Sequence, residues 1–159
     1  MHSDRELSEA LRRYADTVKR ICMVHLKNHA DTEDIFQTVF LKYMLHDQPF
    51  ESEEHEKAWI IRVTVNACKD LLKSAFRSRT VSWDELIEQP ADVPEDDRDV
   101  LEAVLSLPEK LKDVVYLHYY EGYTAAQIGQ ILHKNTNTVY THLTRARQLL
   151  KQKLGGDEV

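Results

Sequence analysis

The amino-acid sequence predicts an all-α protein made of two small helical domains joined by an acidic linker. Apolar residues recur at three- and four-residue spacing through most of the 159 residues, which is the pattern of amphipathic helices. Only four Gly and four Pro are available to break those helices. Residues 80–100 contain eight acidic side chains, one basic side chain and two Pro, the composition of a solvated linker. We therefore place the domains at 1–79 and 101–159.

Three helices are expected in the first domain. The first ends near Asn28, and the second begins at Asp31 as its N-cap, in the segment DTEDIFQTVFLKYM. A polar segment, HDQPFESEEHE, follows, and the third helix runs from about Glu54 to Ser78. The positions expected to form the core are Leu7, Leu11, Tyr14, Val18, Ile21, Cys22, Ile35, Phe36, Val39, Phe40, Tyr43, Trp59, Ile60, Val63, Ala67, Leu71 and Leu72.

The second domain has the pattern of a helix-turn-helix within a winged-helix-like four-helix fold. Thr124 is suited to cap a short helix, and Gly122 is suited to end the helix before it. A polar break then leads to Asn135, which can cap a second helix. The helix Pro108 to Tyr120 carries Val114, Val115, Leu117 and Tyr119 as an apolar stripe that could serve the core or a partner, and of the two we favour packing against the helix-turn-helix.

The last helix is cationic in a protein whose formal net charge is −6. From Lys134 to Lys153 the chain has five basic residues and no acidic residue. Such a field is expected of a surface that faces phosphates, although an ordinary helical hairpin with a solvated basic face gives the same pattern. Side chains that could bond base edges lie opposite its apolar side: Asn137, Tyr140, Thr141, Thr144, Arg145 and Gln148.

Composition argues against several other classes of protein. No apolar run approaches the roughly 20 residues that cross a bilayer, and the N-terminus lacks a signal-peptide core, so we expect a cytoplasmic protein without membrane insertion. Cys22 and Cys68 are expected to be small buried side chains. His25 and His29 have a spacing that can bind metal but no further ligand pair beside them, so no metal or cofactor is expected. No catalytic triad or nucleotide-binding loop is apparent.

Aromatic and basic residues are mixed along the third helix. That mixture suits stacking and phosphate contact with unpaired bases. A simpler interpretation makes Trp59 a core residue and the basic residues a solvated face, and for Trp59 alone we favour it.

Taken in order, these segments resemble an extracytoplasmic-function (ECF) sigma factor of bacterial RNA polymerase, a member of the sigma-70 family. The resemblance runs from about Leu11 to Leu154. It rests on DTEDIFQTVFLKYM, then WIIRVTVNACKDLLKSAFRSR, then the acidic linker, then LSLPEKLKDVVYLHYYEGYTAAQIGQIL and TVYTHLTRARQLL.

The resemblance implies three binding surfaces on a transcription-initiation subunit that is not an enzyme. The second helix would dock on the polymerase clamp through Glu33, Asp34, Gln37 and Lys42. The minus-ten promoter element would be melted and read by Phe50, Trp59, Arg62, Asn66, Lys73, Arg77 and Arg79. The minus-thirty-five element would be read as duplex by Thr124, Asn137, Tyr140, Thr141, Thr144, Arg145, Arg147 and Lys151.

The partners implied are core RNA polymerase, through its β′ clamp and β flap, promoter DNA and an anti-sigma factor, in a stress response. Free protein of net negative charge is expected to bind DNA poorly by itself. His133 and Lys134 replace the Gly and aliphatic residue usual at the family's helix-turn-helix turn, which predicts a looser or repositioned turn.

Two alternatives from other classes stay open at this point. One is a stand-alone helix-turn-helix regulator with an N-terminal sensing or interaction domain, which would bind its promoter as a dimer without polymerase. The other is a helical adaptor or anti-regulator that never reads DNA.

Overall fold

The computed structural model describes residues 1–26, 28–78 and 98–155, with side chains at 1–26, 28–74 and 99–155. Within these ranges the regular structure is entirely helical, which confirms the predicted all-α class. The chain divides into two compact units, Met1–Gln89 and Pro90–Val159. Most of the segment expected to be a linker lies outside the described residues, but 98–100 already belong to a helix. None of the described helices is both long and apolar enough to cross a membrane.

The first unit consists of three helices, each of which packs against the other two: α1 (Asp4–Leu26), α2 (His29–Leu45) and α3 (Glu53–Ser78). Its core combines the predicted apolar faces of α1 and α2 with α3. The buried face of α3 is displaced from the prediction, because Ile61, Thr64 and Val65 are buried whereas Trp59 and Val63 are only partly buried. Since α3 packs against both other helices, its buried arc is wider than one apolar stripe.

The start of α2 differs from the prediction. Asn28, not Asp31, is the N-cap: its Oδ1 accepts a hydrogen bond from the backbone N–H of Asp31 at 2.9 Å. The Asn28 side-chain amide in turn donates to the Asp31 carboxylate at 3.0 Å. The predicted cap at Asp31 is therefore wrong. Asn28 is buried and extended in backbone conformation, so it reaches the free N–H groups first and places Asp31 inside the first turn.

The second unit contains α4 (Arg98–Leu105), α5 (Glu109–Val115), α6 (Ala125–Leu132) and α7 (Thr136–Lys153). A π-helical turn, Tyr116–Tyr120, continues α5, and Gly122 follows it at φ +80°, a left-handed conformation that glycine adopts without strain. The predicted four-helix domain is thus confirmed. Val114, Val115 and Leu117 are buried as expected, whereas Tyr119 is exposed.

Candidate nucleic-acid and partner interfaces

The helix-turn-helix is formed by α6 and α7, and both predicted caps are confirmed. Thr124 Oγ1 accepts from the Gln127 backbone N–H at 3.2 Å, and Gln127 Oε1 accepts from the Thr124 N–H at 2.9 Å. Asn135 Oδ1 accepts from the Asn137 N–H at 2.8 Å. Each helix therefore begins at a defined residue, which fixes the register of the side chains that follow.

The turn between these helices is tight, contrary to the looser turn expected from its sequence. His133 adopts the left-handed conformation at φ 56° and ψ 47°. The Lys134 N–H then donates to the Gly129 carbonyl at 2.8 Å, and Lys134 is half-buried. A histidine can take the left-handed conformation that glycine would supply, and closure of the turn needs only the backbone of Lys134.

The solvent face of α7 carries the predicted base-reading residues. Val139, Leu143, Ala146 and Leu150 are buried in the core of the unit. The eight residues expected at the minus-thirty-five element are all exposed: Thr124, Asn137, Tyr140, Thr141, Thr144, Arg145, Arg147 and Lys151. Seven of them lie on α7, so this one capped helix presents a polar and cationic face to solvent.

Arg147 differs from its neighbours because it is held within the protein. Its Nε donates to the hydroxyl of Tyr119 at 2.6 Å, and its guanidinium lies 5.8 Å from the centroid of that ring. Tyr119 is 57% exposed at the end of the α5 continuation. Sequence reasoning missed this tyrosine, since it was expected within an apolar stripe. Its aromatic ring and hydroxyl orient Arg147 on the flank of α7.

The outer face of α2 holds all four residues expected to contact polymerase. Glu33, Asp34, Gln37 and Lys42 are exposed there. Two large apolar side chains share the face and were missed, Leu41 at 60% exposure and Leu45 at 59%. Leu41 lies four residues after Gln37 and four before Leu45. Residues at this spacing share one side of a helix, so the sequence did contain a signal that the leucines lie beside Gln37. We call this surface, residues 33, 34, 37, 41, 42 and 45, the α2 outer face. Exposed leucines beside charged groups are typical of a protein-binding surface.

An aromatic cluster forms where α2, α3 and the loop between them meet. The Phe50 ring centroid lies 4.9 Å from that of His46 and 5.6 Å from that of Trp59. Phe50 and Trp59 are both partly buried against the core of the first unit. The prediction that Trp59 is simply a core residue therefore holds for part of its ring, and the remaining part is open to solvent.

A polar stripe continues from this cluster along α3. Arg62 is half-buried, and Asn66 and Lys73 are exposed, at spacings that keep all three on one side of the helix. Arg77 belongs to α3, but its side chain lies outside the described part of the chain, as does the whole of Arg79. Five of the seven residues expected at the minus-ten element are thus located on adjoining surfaces.

Glu56 connects the three helices of the first unit below this surface. Its carboxylate accepts from the hydroxyl of Tyr14 at 2.9 Å and from that of Tyr43 at 3.1 Å. Burial, together with the neighbouring Glu56, raises the pKa of both tyrosines well above the ordinary value. Arg13 lies 3.9 Å from the same carboxylate and 3.3 Å from that of Glu53. The start of α3, and with it the end of the α2–α3 loop, is therefore tied to both other helices.

In the first unit the side chains of His25 and His29 differ in their exposure to solvent, whereas both cysteines are buried. His25 is buried and His29 is exposed, and no group of three potential metal ligands occurs among residues 1–26, 28–78 and 98–155. Cys22 and Cys68 are both fully buried as predicted, with their sulfur atoms 3.9 Å apart between α1 and α3.

Comparison with known proteins covers both units. A family model of sigma-70 region 2 matches residues 10–78, and one of sigma-70 region 4 matches residues 97–150. RNA polymerase sigma factor SigV of Bacillus subtilis is 30% identical over 88% of this chain and 86% of its own length. ECF RNA polymerase sigma factor SigW of the same organism is 24% identical over 89% of this chain and 84% of its own length.

The fold is also that of solved sigma factors. The sigma factor RpoE, in a complex with the anti-sigma factor NepR from Bartonella quintana, superposes with a TM-score of 0.78 at 18% identity, over 97% of this chain and 99% of that one. The matches to regions 2 and 4 coincide with the three-helix unit and the helix-turn-helix unit. The chain belongs to the sigma-70 family of RNA polymerase sigma factors, as a member of the ECF type.

Proposed function

We propose that this sigma factor presents three separate surfaces to its partners, one for core polymerase and two for promoter DNA, and that it contributes no catalytic step of its own. Domain roles follow: residues 1–79 dock on core enzyme and act at the minus-ten element, 80–100 connect, and 101–159 read the minus-thirty-five element. The observation that carries the proposal is the exposed polar face of α7. This helix belongs to a helix-turn-helix in which both helices are capped, in a chain of the sigma-70 family.

Docking on polymerase is assigned to the α2 outer face. Leu41 and Leu45 supply apolar area that association can remove from water, and Glu33, Asp34, Gln37 and Lys42 supply a polar surround. The expected partner element is the β′ clamp of the core enzyme, and the second unit is expected to contact the β flap. Because α2 is capped at Asn28 and packed on two helices, this face is rigid before binding.

Reading of the minus-ten element is assigned to the aromatic cluster and the polar stripe of α3. Phe50 and Trp59 offer partly exposed rings on which an unpaired base can stack. Arg62, Asn66 and Lys73 extend from them along α3 and suit the backbone of the displaced strand, and Arg77 and Arg79 are proposed to continue that track.

Reading of the minus-thirty-five element is assigned to α7. Asn137, Tyr140, Thr141, Thr144 and Arg145 project from its solvent face, where they would meet base edges in a major groove. Arg147 and Lys151 lie further along α7 and are assigned to phosphates of the DNA. Thr124 caps the N-terminus of α6, which is assigned to the DNA backbone.

Regulation by an anti-sigma protein in the cytoplasm completes the proposal. Two structurally similar proteins were solved in complexes, the sigma factor RpoE with the anti-sigma factor NepR, and CnrH with the cytosolic domain of CnrY. The exposed leucines of the α2 outer face are a surface that such a protein could cover, which would prevent docking on core enzyme.

A band-shift titration tests the division of labour. At physiological salt the isolated chain, with its net charge of −6, should leave promoter fragments unshifted, and addition of core polymerase should give a promoter-specific shift. A variant with Leu41→Glu and Leu45→Glu should lose that shift, while Arg12→Ala, an exposed change on α1, should retain it. Tight promoter binding by the isolated chain would instead favour a stand-alone regulator.

A further inference from the structure

Phe50 is the aromatic anchor of the loop that joins α2 to α3. The loop, residues 46–52, contains no helix, and every residue in it except His46 and Phe50 is exposed. The rings of Tyr43, His46, Phe50 and His2 are nearly parallel, with angles between their planes of 8° to 14°. Ring stacking therefore holds Phe50 within the loop, beside the polar contacts of the Met1 amino group with Asp47 at 2.9 Å and of the Glu51 N–H with His55 Nδ1 at 3.0 Å.

His2 is the member of this group that comes from a distant part of the chain. Its ring centroid lies 4.2 Å from that of Tyr43, on α2, and 5.7 Å from that of Phe50, in the loop. Only 11% of its side chain is exposed. A residue that precedes α1 thus contacts both the end of α2 and the loop that follows it.

His2 is held by one hydrogen bond of its backbone and one polar contact of its ring. Its backbone N–H donates to the Met44 carbonyl at 2.9 Å, which satisfies one of the last carbonyls of α2. Its Nδ1 lies 3.1 Å from a carboxylate oxygen of Glu6. Glu6 is itself held by Ser3, whose N–H donates to the carboxylate at 3.0 Å and whose hydroxyl accepts from the Glu6 N–H at 3.1 Å.

A site that takes up an unpaired base gains from rings that are already in place. Stacking on a side chain that must first be ordered loses part of its free energy to that ordering. Phe50 stands on a loop without helical hydrogen bonds, so an external support for its ring has a direct effect on any base that stacks there.

We propose that His2 is a positioning residue of the minus-ten site: its ring holds Phe50 and the loop 46–52 in the arrangement that accepts an unpaired base. The inference rests on the proposed function of this loop and adds to it a residue outside both matched family regions. His2 acts through Phe50 and does not need to touch the DNA.

The test uses holoenzyme assembled from the full chain and core polymerase. After run-off mapping of one start site, the affinity of holoenzyme for a fluorescent single-stranded oligonucleotide with the non-template minus-ten sequence is measured by anisotropy. His2→Ala should weaken this binding by at least about fivefold, the lower end of what one base stack contributes. His2→Phe, which keeps a flat ring on Tyr43, should restore most of it. Arg12→Ala, an exposed change on α1, serves as control.

Two further measurements separate positioning from folding. The affinity of each variant for core polymerase should stay at the wild-type value, because the α2 outer face does not include the ring stack, and circular dichroism should show each variant fully folded at the assay temperature. Unchanged oligonucleotide binding by His2→Ala, or an equal loss with His2→Phe, would overturn the role of His2. If wild-type holoenzyme itself fails to prefer the minus-ten oligonucleotide over a scrambled one, the proposed function of the loop is wrong, and the role of His2 falls with it.

Discussion

The carbonyl oxygen of Lys134 lies 2.7 Å from the position that a Cβ atom on Gly129 would occupy. Real Cβ atoms do not approach a backbone oxygen so closely, so only glycine allows the turn of the helix-turn-helix to fold back on α6. The same glycine accepts the N–H of Lys134 through its own carbonyl. The absence of a side chain at Gly129 therefore permits the tight turn in spite of His133 and Lys134.

Gly129→Ala should destabilise the second unit. A methyl group forced against the Lys134 carbonyl displaces backbone, and overpacking of this kind costs about 1–3 kcal/mol in free energy of unfolding. Gln130→Ala, an exposed change at the next position of α6, should leave that free energy nearly unchanged. Chemical denaturation followed by far-ultraviolet circular dichroism measures both, and a Gly129→Ala protein as stable as the wild type would contradict the account of the turn.

His133→Gly should stabilise the second unit, in contrast to Gly129→Ala. The left-handed conformation costs an L-residue about 1–2 kcal/mol, and glycine avoids that cost while losing about 0.5–1 kcal/mol through its more flexible unfolded chain. We expect a gain of up to about 1.5 kcal/mol in the free energy of unfolding. The same denaturation experiment decides it, since a clear loss of stability would mean that the His133 side chain contributes more than its backbone conformation costs.

Helix type and order were predictable from sequence because they depend on local periodicity and capping. Thr124 and Asn135 were identified as caps since a polar residue directly precedes each apolar pattern. The choice between Asn28 and Asp31 was not predictable, because both residues can cap and only tertiary burial of Asn28 decides between them.

Parts of the candidate site could not be read from the sequence, for a similar reason. Leu41 and Leu45 lie outside the predicted core and share the spacing of Gln37, but only the packing of α2 shows that both leucines stay uncovered. Tyr119 and Arg147 are 28 positions apart, and His2 and Phe50 are further apart still, so no local pattern brings either pair together.

Alkaline pH should destabilise the first unit. Burial and Glu56 raise the pKa of Tyr14 and Tyr43, whereas the same groups ionise at a pKa of about 10 in the unfolded chain. Below that pH both states keep the protons, and the stabilisation is fully present. As the pH rises beyond it, only the unfolded chain loses protons, and the free energy of unfolding falls.

Urea unfolding followed by tryptophan fluorescence measures this dependence. Trp59 is partly buried against the core of the first unit, and in a Trp83→Phe background, where Trp59 is the single Trp, the signal reports on that unit. Conversion of Tyr14 and Tyr43 to Phe should flatten the alkaline limb, and an equally steep decline in that variant would assign it to other groups.

Substitution of Arg145 and of Arg147 should differ in its effect on stability. Arg145→Ala should weaken holoenzyme binding to a promoter duplex by about 1–3 kcal/mol, as loss of a base contact does, without a change in thermal unfolding. Arg147→Ala should lower the free energy of unfolding by about 0.5–1.5 kcal/mol, because it removes the hydrogen bond to Tyr119. Tyr119→Phe removes the hydroxyl that accepts this hydrogen bond, and it should lower the free energy of unfolding by a similar amount. The reverse assignment, with Arg147 silent in folding, would contradict the observed pairing.

Cys22 and Cys68 should react with a thiol reagent only when the first unit opens. Both sulfur atoms are fully buried, so labelling by Ellman's reagent requires unfolding of α1 from α3. The labelling rate should therefore rise with urea in parallel with loss of the tryptophan signal. Rapid labelling of either thiol in native buffer would show that the interface between these helices is open.

Run-off transcription with purified bacterial core polymerase tests whether this chain acts as a sigma factor. A library of genomic fragments is transcribed by core enzyme alone and by core enzyme with this chain. We expect discrete transcripts that start at a small set of promoters only when the chain is present, and that are lost with the double exchange Leu41→Glu and Leu45→Glu. Equal initiation with and without the chain, on every fragment, would contradict its action as a sigma factor.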